Sequence, residues 1–380
     1  GFGLEPPTRA AAAGGQGVRR SAAGRNLLGE QVCRRLPGTA FASSVPPNDT
    51  ISASSAREAA RAAARDTVVN PKVRQRREPK RRILPALLDL KNVPDYLVNN
   101  EFIISGYRAD WNWRDSLWSL VGWHNETLNI WTHFAGFICF AILTHGLATR
   151  IPEVPVGEAA IGHITVRWPF FVFLLGAKVC LGISTFCHTF HCVSKGVCAV
   201  VWRFDYFGIA FLIATSFFPV VYYAFLCHPA WQVFYLVSIS SLGIMVSAVS
   251  LLDRFQAAEY IQLRAGLFAG MGLMGFIPMI HQTFVNWDSP AMLRMWGYEL
   301  LMGVLYLIGT AAYALKWPER HFPGKLDIVG HSHQIFHVFV VLGALVHYHG
   351  AVMLLEWRDS EGGHAKCLPP FAVPGGGQGY

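Results

Sequence analysis

Two histidines four residues apart open the last apolar stretch of this chain. His333 and His337 stand in the phrase SHQIFH, residues 332–337, where a membrane-spanning helix is expected to begin. Residues at positions i and i+4 share one face of a helix. Both imidazole rings can therefore point into a helix bundle and bind one metal ion, provided that other helices supply the remaining ligands.

Three further polar residues are predicted at the same depth. Ser184 and His188 come near the end of the second apolar run, and Asp205 opens the third. Successive runs cross a membrane in opposite directions, so these positions meet the start of the seventh run. Because ionisable residues inside membrane helices usually pair, bind ions or carry function, we predict one site built from three helices.

The residue types favour zinc. Neutral imidazole binds Zn²⁺ well, and three protein nitrogens leave the fourth tetrahedral position open. We predict His188, His333 and His337 as the zinc ligands. At the open position Asp205 would hold or deprotonate water, and Ser184 would orient a substrate carbonyl. For each histidine taken alone, an interhelical hydrogen bond is the alternative.

Other polar residues of the apolar runs are not predicted as ligands. His191 lies about 60° round the helix from His188 and nearer the membrane exit, so an interfacial position is expected. The histidines expected at other depths are His133, His281, His347 and His349. Lys178, in the middle of the second run, would snorkel, pair with a neighbouring helix or mark a water-filled cavity.

Composition predicts a membrane protein. Hydrophobic residues make up 52% of the 380 residues, charged residues only 15%, and the mean hydropathy is +0.32. Seven apolar runs have the roughly 20 residues that a bilayer crossing requires. They are Leu128 to Leu147, Trp168 to Phe190, Asp205 to Cys227, Trp231 to Leu251, Ala265 to Phe284, Trp296 to Leu315 and Gly330 to Leu354. The predicted fold is an all-α, seven-transmembrane helix bundle.

The eight cysteines do not suggest a disulfide framework. Those inside or at the ends of apolar runs are expected to be buried small hydrophobic side chains; they are Cys139, Cys180, Cys187 and Cys227. Cys192 and Cys198 follow Cys187, but no two of the three have the C-x2-C spacing of a zinc knuckle.

The flanking segments divide the chain further. Residues 1 to 85 lack apolar periodicity and are predicted to be a disordered basic tail, with an organellar transit peptide as the alternative. The basic run Lys72 to Arg82 is expected to contact anionic lipid rather than nucleic acid. Residues 86 to 124 are predicted to be an amphipathic cytoplasmic segment on the inner membrane surface, residues 125 to 357 the transmembrane domain, and residues 358 to 380 a flexible tail.

Charge predicts the orientation. Lysine and arginine are denser in the tail before the first span and in the second, fourth and sixth connections than on the opposite side. Since basic residues concentrate on the cytoplasmic side, the amino terminus is predicted inside and the carboxyl terminus outside. That topology is the reverse of G-protein-coupled receptors, so a G protein is not an expected partner.

Four strings carry a resemblance to a known family. They are WHNETLNIWTH (residues 123–133), DYFGIA (205–210), PERHFPGKLD (318–327) and HQIFH (333–337). Over about residues 85 to 360 the chain resembles the progestin and adipoQ receptor family, and within it the plant heptahelical proteins similar to adiponectin receptors. The resemblance implies a seven-helix bundle with zinc on His188, His333 and His337, and places Ser184 and Asp205 at the family's matching Ser and Asp.

Two functions remain open on this basis. The protein is either a signalling receptor for an extracellular or lipid ligand, or a zinc-dependent intramembrane hydrolase that cleaves an amide in a ceramide-like lipid. For the plant branch, the resemblance implies roles in responses to hormones, sugar or abiotic stress. The particular membrane and the oligomeric state are not readable from the residues.

Overall fold

The structure is a computed structural model that describes residues 84–149, 165–252, 260–287, 289–360 and Cys367. The basic run from Lys72 to Arg82 and nearly all of the predicted carboxyl-terminal tail lie outside the described residues. Predictions for those segments therefore remain predictions.

The described parts of the chain contain nine α-helices. In chain order they are α1 Trp113–Trp118, α2 Thr127–Thr149, α3 Trp168–Phe190, α4 Lys195–Ala224, α5 Pro229–Leu251, α6 Ile261–Leu273, α7 Phe276–Val285, α8 Pro290–Leu315 and α9 Ser332–Asp359. Helix α3 packs along α4, and α9 packs along α8 and also contacts α2 and α4. The contacts of α9 bring its first turns to the end of α3.

Seven stretches of the described chain are long and apolar enough to cross a membrane. They are Thr127–Thr149, Trp168–Phe190, Lys195–Ala224, Pro229–Leu251, Gly266–Val285, Pro290–His321 and Ser332–Asp359. The predicted all-α, seven-span class is confirmed, and the chain is an integral multi-pass membrane protein.

The third and fifth spans differ from the prediction in ways that the sequence explains. Helix α4 begins at Lys195 rather than at Asp205, because the Ser194 side chain accepts a hydrogen bond from the Val197 backbone N–H at 3.3 Å and starts the helix early. The fifth span is broken into α6 and α7 around Gly275. Glycine weakens a helix and Pro278 has no N–H to donate, so the break falls just before that proline.

Glycines allow α3 and α4 to approach closely. A Cβ atom on Gly176 would lie 1.8 Å from the Thr215 Oγ1 atom, and one on Gly208 would lie 3.2 Å from the Cys180 Cα atom. Small residues of this kind let the backbones of membrane helices pack tightly. The close packing fixes where the end of α3 sits in the bundle.

Residues 84–124 and the connection from α8 to α9, residues 316–331, cover one end of the bundle, and we call them together the juxtamembrane cap. Val93, Leu97 and Tyr107 are buried in a hydrophobic cluster that includes Cys198 of α4. The backbone N–H of Gly324 donates to the Phe102 carbonyl oxygen at 3.2 Å, which joins the two parts. That residues 86 to 124 lie along the inner membrane surface stays a prediction.

The interpretation of Cys227 as a buried hydrophobic side chain is wrong. Cys227 forms a disulfide with Cys367, which ties the chain after α4 to the chain after α9. The two cysteines are 140 residues apart, so no local pattern could pair them. Five other cysteines in the described residues are free thiols: Cys139, Cys180, Cys187, Cys192 and Cys198.

Candidate metal centre

Three imidazole rings meet at the end of the bundle that the juxtamembrane cap covers. His188 comes from the last turn of α3, and His333 and His337 come from the first two turns of α9. Their potential ligand nitrogens all lie within 4.8 Å of one another. The ring planes are close to perpendicular, with centroids 4.8–5.0 Å apart. The structure therefore brings the three predicted ligands together.

A carboxylate orients the His188 ring. The Nδ1 atom of His188 lies 2.7 Å from the Glu126 Oε2 atom, while its Nε2 atom is buried without a hydrogen-bond partner among the described residues. A carboxylate accepts hydrogen bonds, so Nδ1 carries the proton and the Nε2 lone pair is left for a metal. This carboxylate–histidine arrangement is the usual outer support of a metal-binding histidine.

A backbone carbonyl group orients the His337 ring in a similar way. Its Nδ1 atom lies 3.0 Å from the carbonyl oxygen of Asn129, which can only accept. The Nε2 atom of His337 is therefore left as the basic nitrogen. The Asn129 side chain also donates to Glu126 Oε2 at 2.6 Å, so one residue supports both ligands.

These donors fit zinc. Tetrahedral zinc with Zn–N bonds of about 2.0–2.1 Å sets ligand nitrogens about 3.3 Å apart. The three nitrogens, within 4.8 Å of one another, need only small ring movements to reach that spacing. In two of the rings Nδ1 is engaged by an acceptor, which leaves Nε2 as the basic nitrogen.

The two predicted catalytic residues share this interior. Ser184 lies one helical turn before His188 on α3, and its Oγ atom is buried with no hydrogen bond of normal geometry among the described residues. Asp205 of α4 is buried, lies near Ser184 and interacts electrostatically with His188. Their chemical roles stay predictions.

Sequence reasoning missed a polar face on α2. Glu126 immediately precedes α2, and Asn129 and His133 lie within it; their spacings of three and four residues place them on one side of the helix. His133 stacks on His337 with centroids 3.6 Å apart, and in the part of the chain that the structure describes neither of its buried ring nitrogens has a hydrogen-bond partner. The i, i+3, i+7 spacing was the signal that could have identified this face.

The expected depth of His133 is therefore wrong. It lies near the start of α2, at the same end of the bundle as the start of α9, where His337 lies. His191 directly follows the last residue of α3, is only 6% exposed and has its Nε2 atom 3.8 Å from Glu126 Oε1, while its expected interfacial position stays a prediction. Burial lowers the pKa of His191 to about 4, which keeps the ring neutral at pH 7.

The remaining polar residues lie away from the three ligands. His281 contacts the Tyr235 hydroxyl at 3.0 Å, and His347 contacts the carboxylate of Glu299 at 2.8 Å. Lys178 is half-buried and forms no ion pair with any described residue. Pairing with a described residue of a neighbouring helix is thereby excluded for Lys178.

Comparison with known proteins places the chain in a family. The family model described as haemolysin-III related matches residues 121–348. The chain is 47% identical over 291 residues to heptahelical transmembrane protein 1 of Arabidopsis thaliana, covering 76% of this chain and 86% of that protein. It is 39% identical over 346 residues to heptahelical transmembrane protein 4 of the same plant, covering 73% and 90%.

An animal protein is also similar. The adiponectin receptor protein of Drosophila melanogaster is 41% identical over 284 residues, which cover 74% of this chain and 62% of that protein. These matches confirm the resemblance that the four sequence strings indicated. The chain is thus a member of the haemolysin-III-related family, within the group of plant heptahelical transmembrane proteins and adiponectin receptors.

Proposed function

We propose that this protein is a multi-pass membrane receptor of the adiponectin-receptor-like type that holds Zn²⁺ inside its helix bundle. The observation that carries the zinc site is the buried Nε2 atom of His188, which has no hydrogen-bond partner among the described residues, in a ring whose neighbours include two further imidazoles from α9. Zinc on His188, His333 and His337 links α3 to α9. The receptor class is supported by the name of the Drosophila relative, an adiponectin receptor protein.

The receptor would take an extracellular or lipid ligand and act in responses to hormones, sugar or abiotic stress. Its amino terminus lies inside and its carboxyl terminus outside. The disulfide between Cys227 and Cys367 supports this orientation, because it follows the ends of α4 and α9 that are remote from the juxtamembrane cap. Disulfides persist in oxidising compartments and are rare in the cytosol.

A second candidate function is hydrolysis of an amide bond in a ceramide-like lipid. It is favoured by the positions of Ser184 and Asp205 beside the three histidines. Bound zinc would supply Lewis acidity, which polarises a carbonyl and makes water nucleophilic near neutral pH. Asp205 would take the proton of the attacking water and pass it to the amine nitrogen as the C–N bond breaks, and the Ser184 hydroxyl would donate a hydrogen bond to the carbonyl oxygen of the amide.

Metal analysis and a fatty-acid release assay test both candidates on the full chain in detergent. We expect stoichiometric zinc in the wild type and in His347→Ala, and its loss from His337→Ala. His347 is a matched control because it is a buried histidine of the same helix, α9. A wild type that takes up no zinc would contradict the proposed site.

The hydrolase function is tested by a separate variant, Asp205→Asn. In Asp205→Asn we expect zinc to stay bound while fatty-acid release from ceramide falls by orders of magnitude, because the proton acceptor is lost. If the wild type binds zinc and releases no fatty acid from any lipid amide, the receptor proposal stands alone. If Asp205→Asn turns over at the wild-type rate, Asp205 does not accept the proton.

A further inference from the structure

The two ligand-bearing helices reach the metal centre with opposite ends. Helix α3 ends at Phe190, just after His188, and α9 begins at Ser332, just before His333. The last turn of a helix has free carbonyls and partial negative charge, and the first turn has free N–H groups and partial positive charge. Both ends are buried here, so protein groups of the complementary charge must satisfy them.

Arg108 closes the carboxyl-terminal end of α3. One guanidinium nitrogen, Nη2, donates to the His188 carbonyl oxygen at 2.6 Å. The other, Nη1, donates to the Thr189 carbonyl oxygen at 3.1 Å and to Ser119 Oγ at 2.6 Å. Arg108 is only 2% exposed. A cation from the juxtamembrane cap thus holds the backbone of a metal ligand directly.

Glu319 closes the amino-terminal end of α9. Its Oε2 atom accepts the Ser332 backbone N–H at 2.7 Å, and its Oε1 atom accepts the Ser332 hydroxyl. Asn100 donates to the same Oε1 atom at 2.9 Å. Glu319 is 0% exposed. An anion therefore fixes the residue that immediately precedes His333.

Both charged groups belong to one hydrogen-bonded unit. The bond from Asn100 to Glu319 joins the two parts of the juxtamembrane cap. Asp327 joins them again, because it accepts the backbone N–H groups of Ile104 at 3.1 Å and Ser105 at 2.8 Å. Displacing either part would disturb both helix ends.

We propose that the juxtamembrane cap positions the metal ligands, with Arg108 holding His188 and Glu319 holding His333. The proposal rests on zinc binding at the three histidines. It assigns Arg108 and Glu319 as positioning residues that set the distances between ligand nitrogens. By linkage, zinc in turn stabilises the cap by the same free energy with which the closed cap strengthens zinc binding.

Arg358 provides a matched control at the other end of the bundle. Its Nε atom donates to the Tyr223 carbonyl oxygen at 2.6 Å, and its Nη2 atom donates to the Ala224 carbonyl oxygen at 2.8 Å. It is 1% exposed. Arg358 thus closes the end of α4 as Arg108 closes the end of α3, but none of the three candidate ligands lies there.

The test compares the wild type with Arg108→Met, Glu319→Gln and Arg358→Met in detergent. Zinc Kd is measured by competition with a chelator, and Tm is measured at saturating zinc. We expect Arg108→Met and Glu319→Gln to weaken zinc binding by about 10- to 100-fold, the range found for outer partners of metal ligands. Arg358→Met should lower Tm and leave the zinc Kd unchanged. Arg108→Lys, which keeps the charge, should recover part of the affinity.

Equal zinc Kd values in the wild type, Arg108→Met and Glu319→Gln would overturn the proposal. Equal weakening in Arg358→Met would also overturn it, because the effect would then follow general stability. If the wild type binds no zinc, the zinc site itself fails, and this inference fails with it.

A second measurement covers variants that do not fold. Hydrogen exchange of the wild type, with zinc and after chelation, reports directly on the cap. We expect amides of residues 100–111 to exchange faster without zinc, while amides near Arg358 stay unchanged. Equal exchange of residues 100–111 in both states would overturn the coupling.

Discussion

The bundle contains two groups of buried histidines, and they differ in what occupies the ring nitrogens. In the metal centre, one nitrogen of His188 contacts Glu126, and the other has no partner within the described ranges of the chain. Further along α9, His347 gives Nδ1 to Glu299 at 2.8 Å and Nε2 to the Ser216 carbonyl oxygen at 2.9 Å. Both of these partners accept, so His347 donates from both nitrogens and forms an ion pair with Glu299.

The difference shows how one residue type serves two purposes. A histidine with both nitrogens engaged holds helices together and has no lone pair left for a metal. A histidine with one oriented nitrogen and one free nitrogen is prepared as a ligand. Burial alone, which the two groups share, does not separate them.

Removing a metal ligand should have the largest effect. In His337→Ala we expect zinc affinity to fall by more than about 100-fold, beyond the range for outer partners. Zinc at about 1,000 times its Kd contributes about 4 kcal/mol to stability. A chelator should therefore lower the Tm of the wild type and leave the Tm of His337→Ala unchanged. Equal chelator effects on both proteins would contradict the assignment of His337.

Removing the carboxylate that contacts His347 should lower the stability of the protein without changing its zinc affinity. Glu299→Gln leaves His347 without its carboxylate, and loss of one partner of a buried ion pair costs about 3–5 kcal/mol. We expect a lower Tm by thermal unfolding and an unchanged zinc Kd by chelator competition. A weaker zinc Kd in Glu299→Gln would show that the two groups are coupled.

The outer partner of His188 should have a smaller effect than the ligand itself. Glu126→Gln keeps the side-chain volume but exchanges the carboxylate for an amide. We expect zinc affinity to fall by about 10- to 100-fold, because the His188 ring is less firmly oriented. Cobalt substitution offers a check, since the visible absorption of Co²⁺ reports a change in ligand geometry. Wild-type affinity and spectrum in Glu126→Gln would exclude an orienting role.

Helix packing should have the smallest effect on the metal centre. A methyl group on Gly176 meets Thr215, so Gly176→Ala forces α3 and α4 apart and should cost about 1–3 kcal/mol of stability. Thr215 precedes Ser216, so the change should weaken the contact of Ser216 with His347 more than it weakens zinc binding. Gly146→Ala is the control, because no atom of a described residue contacts the added methyl group within 4 Å. A larger loss of zinc affinity than of Tm would reverse this order.

The positions of polar residues within the apolar runs predicted much of the candidate site. The spacing of His333 and His337 and the alternating direction of the spans brought His188 to the same place. Asp205 was placed at the correct depth although its helix begins earlier than its apolar run. The predicted depth of His133 is wrong, because α2 starts only a few residues before it, at the end of the bundle where α9 also begins.

The sequence by itself determined the seven spans and the three candidate ligands, because hydropathy and helical spacing are properties of residues near one another in the chain. It also determined the haemolysin-III-related family, through its matching strings. Tertiary structure decided which nitrogen of His188 is free, that Cys227 meets Cys367, and that Arg108 reaches the end of α3. Those contacts join residues 62, 140 and 80 positions apart. Such partners are selected by the packing of whole helices, and no local property of either residue identifies the other.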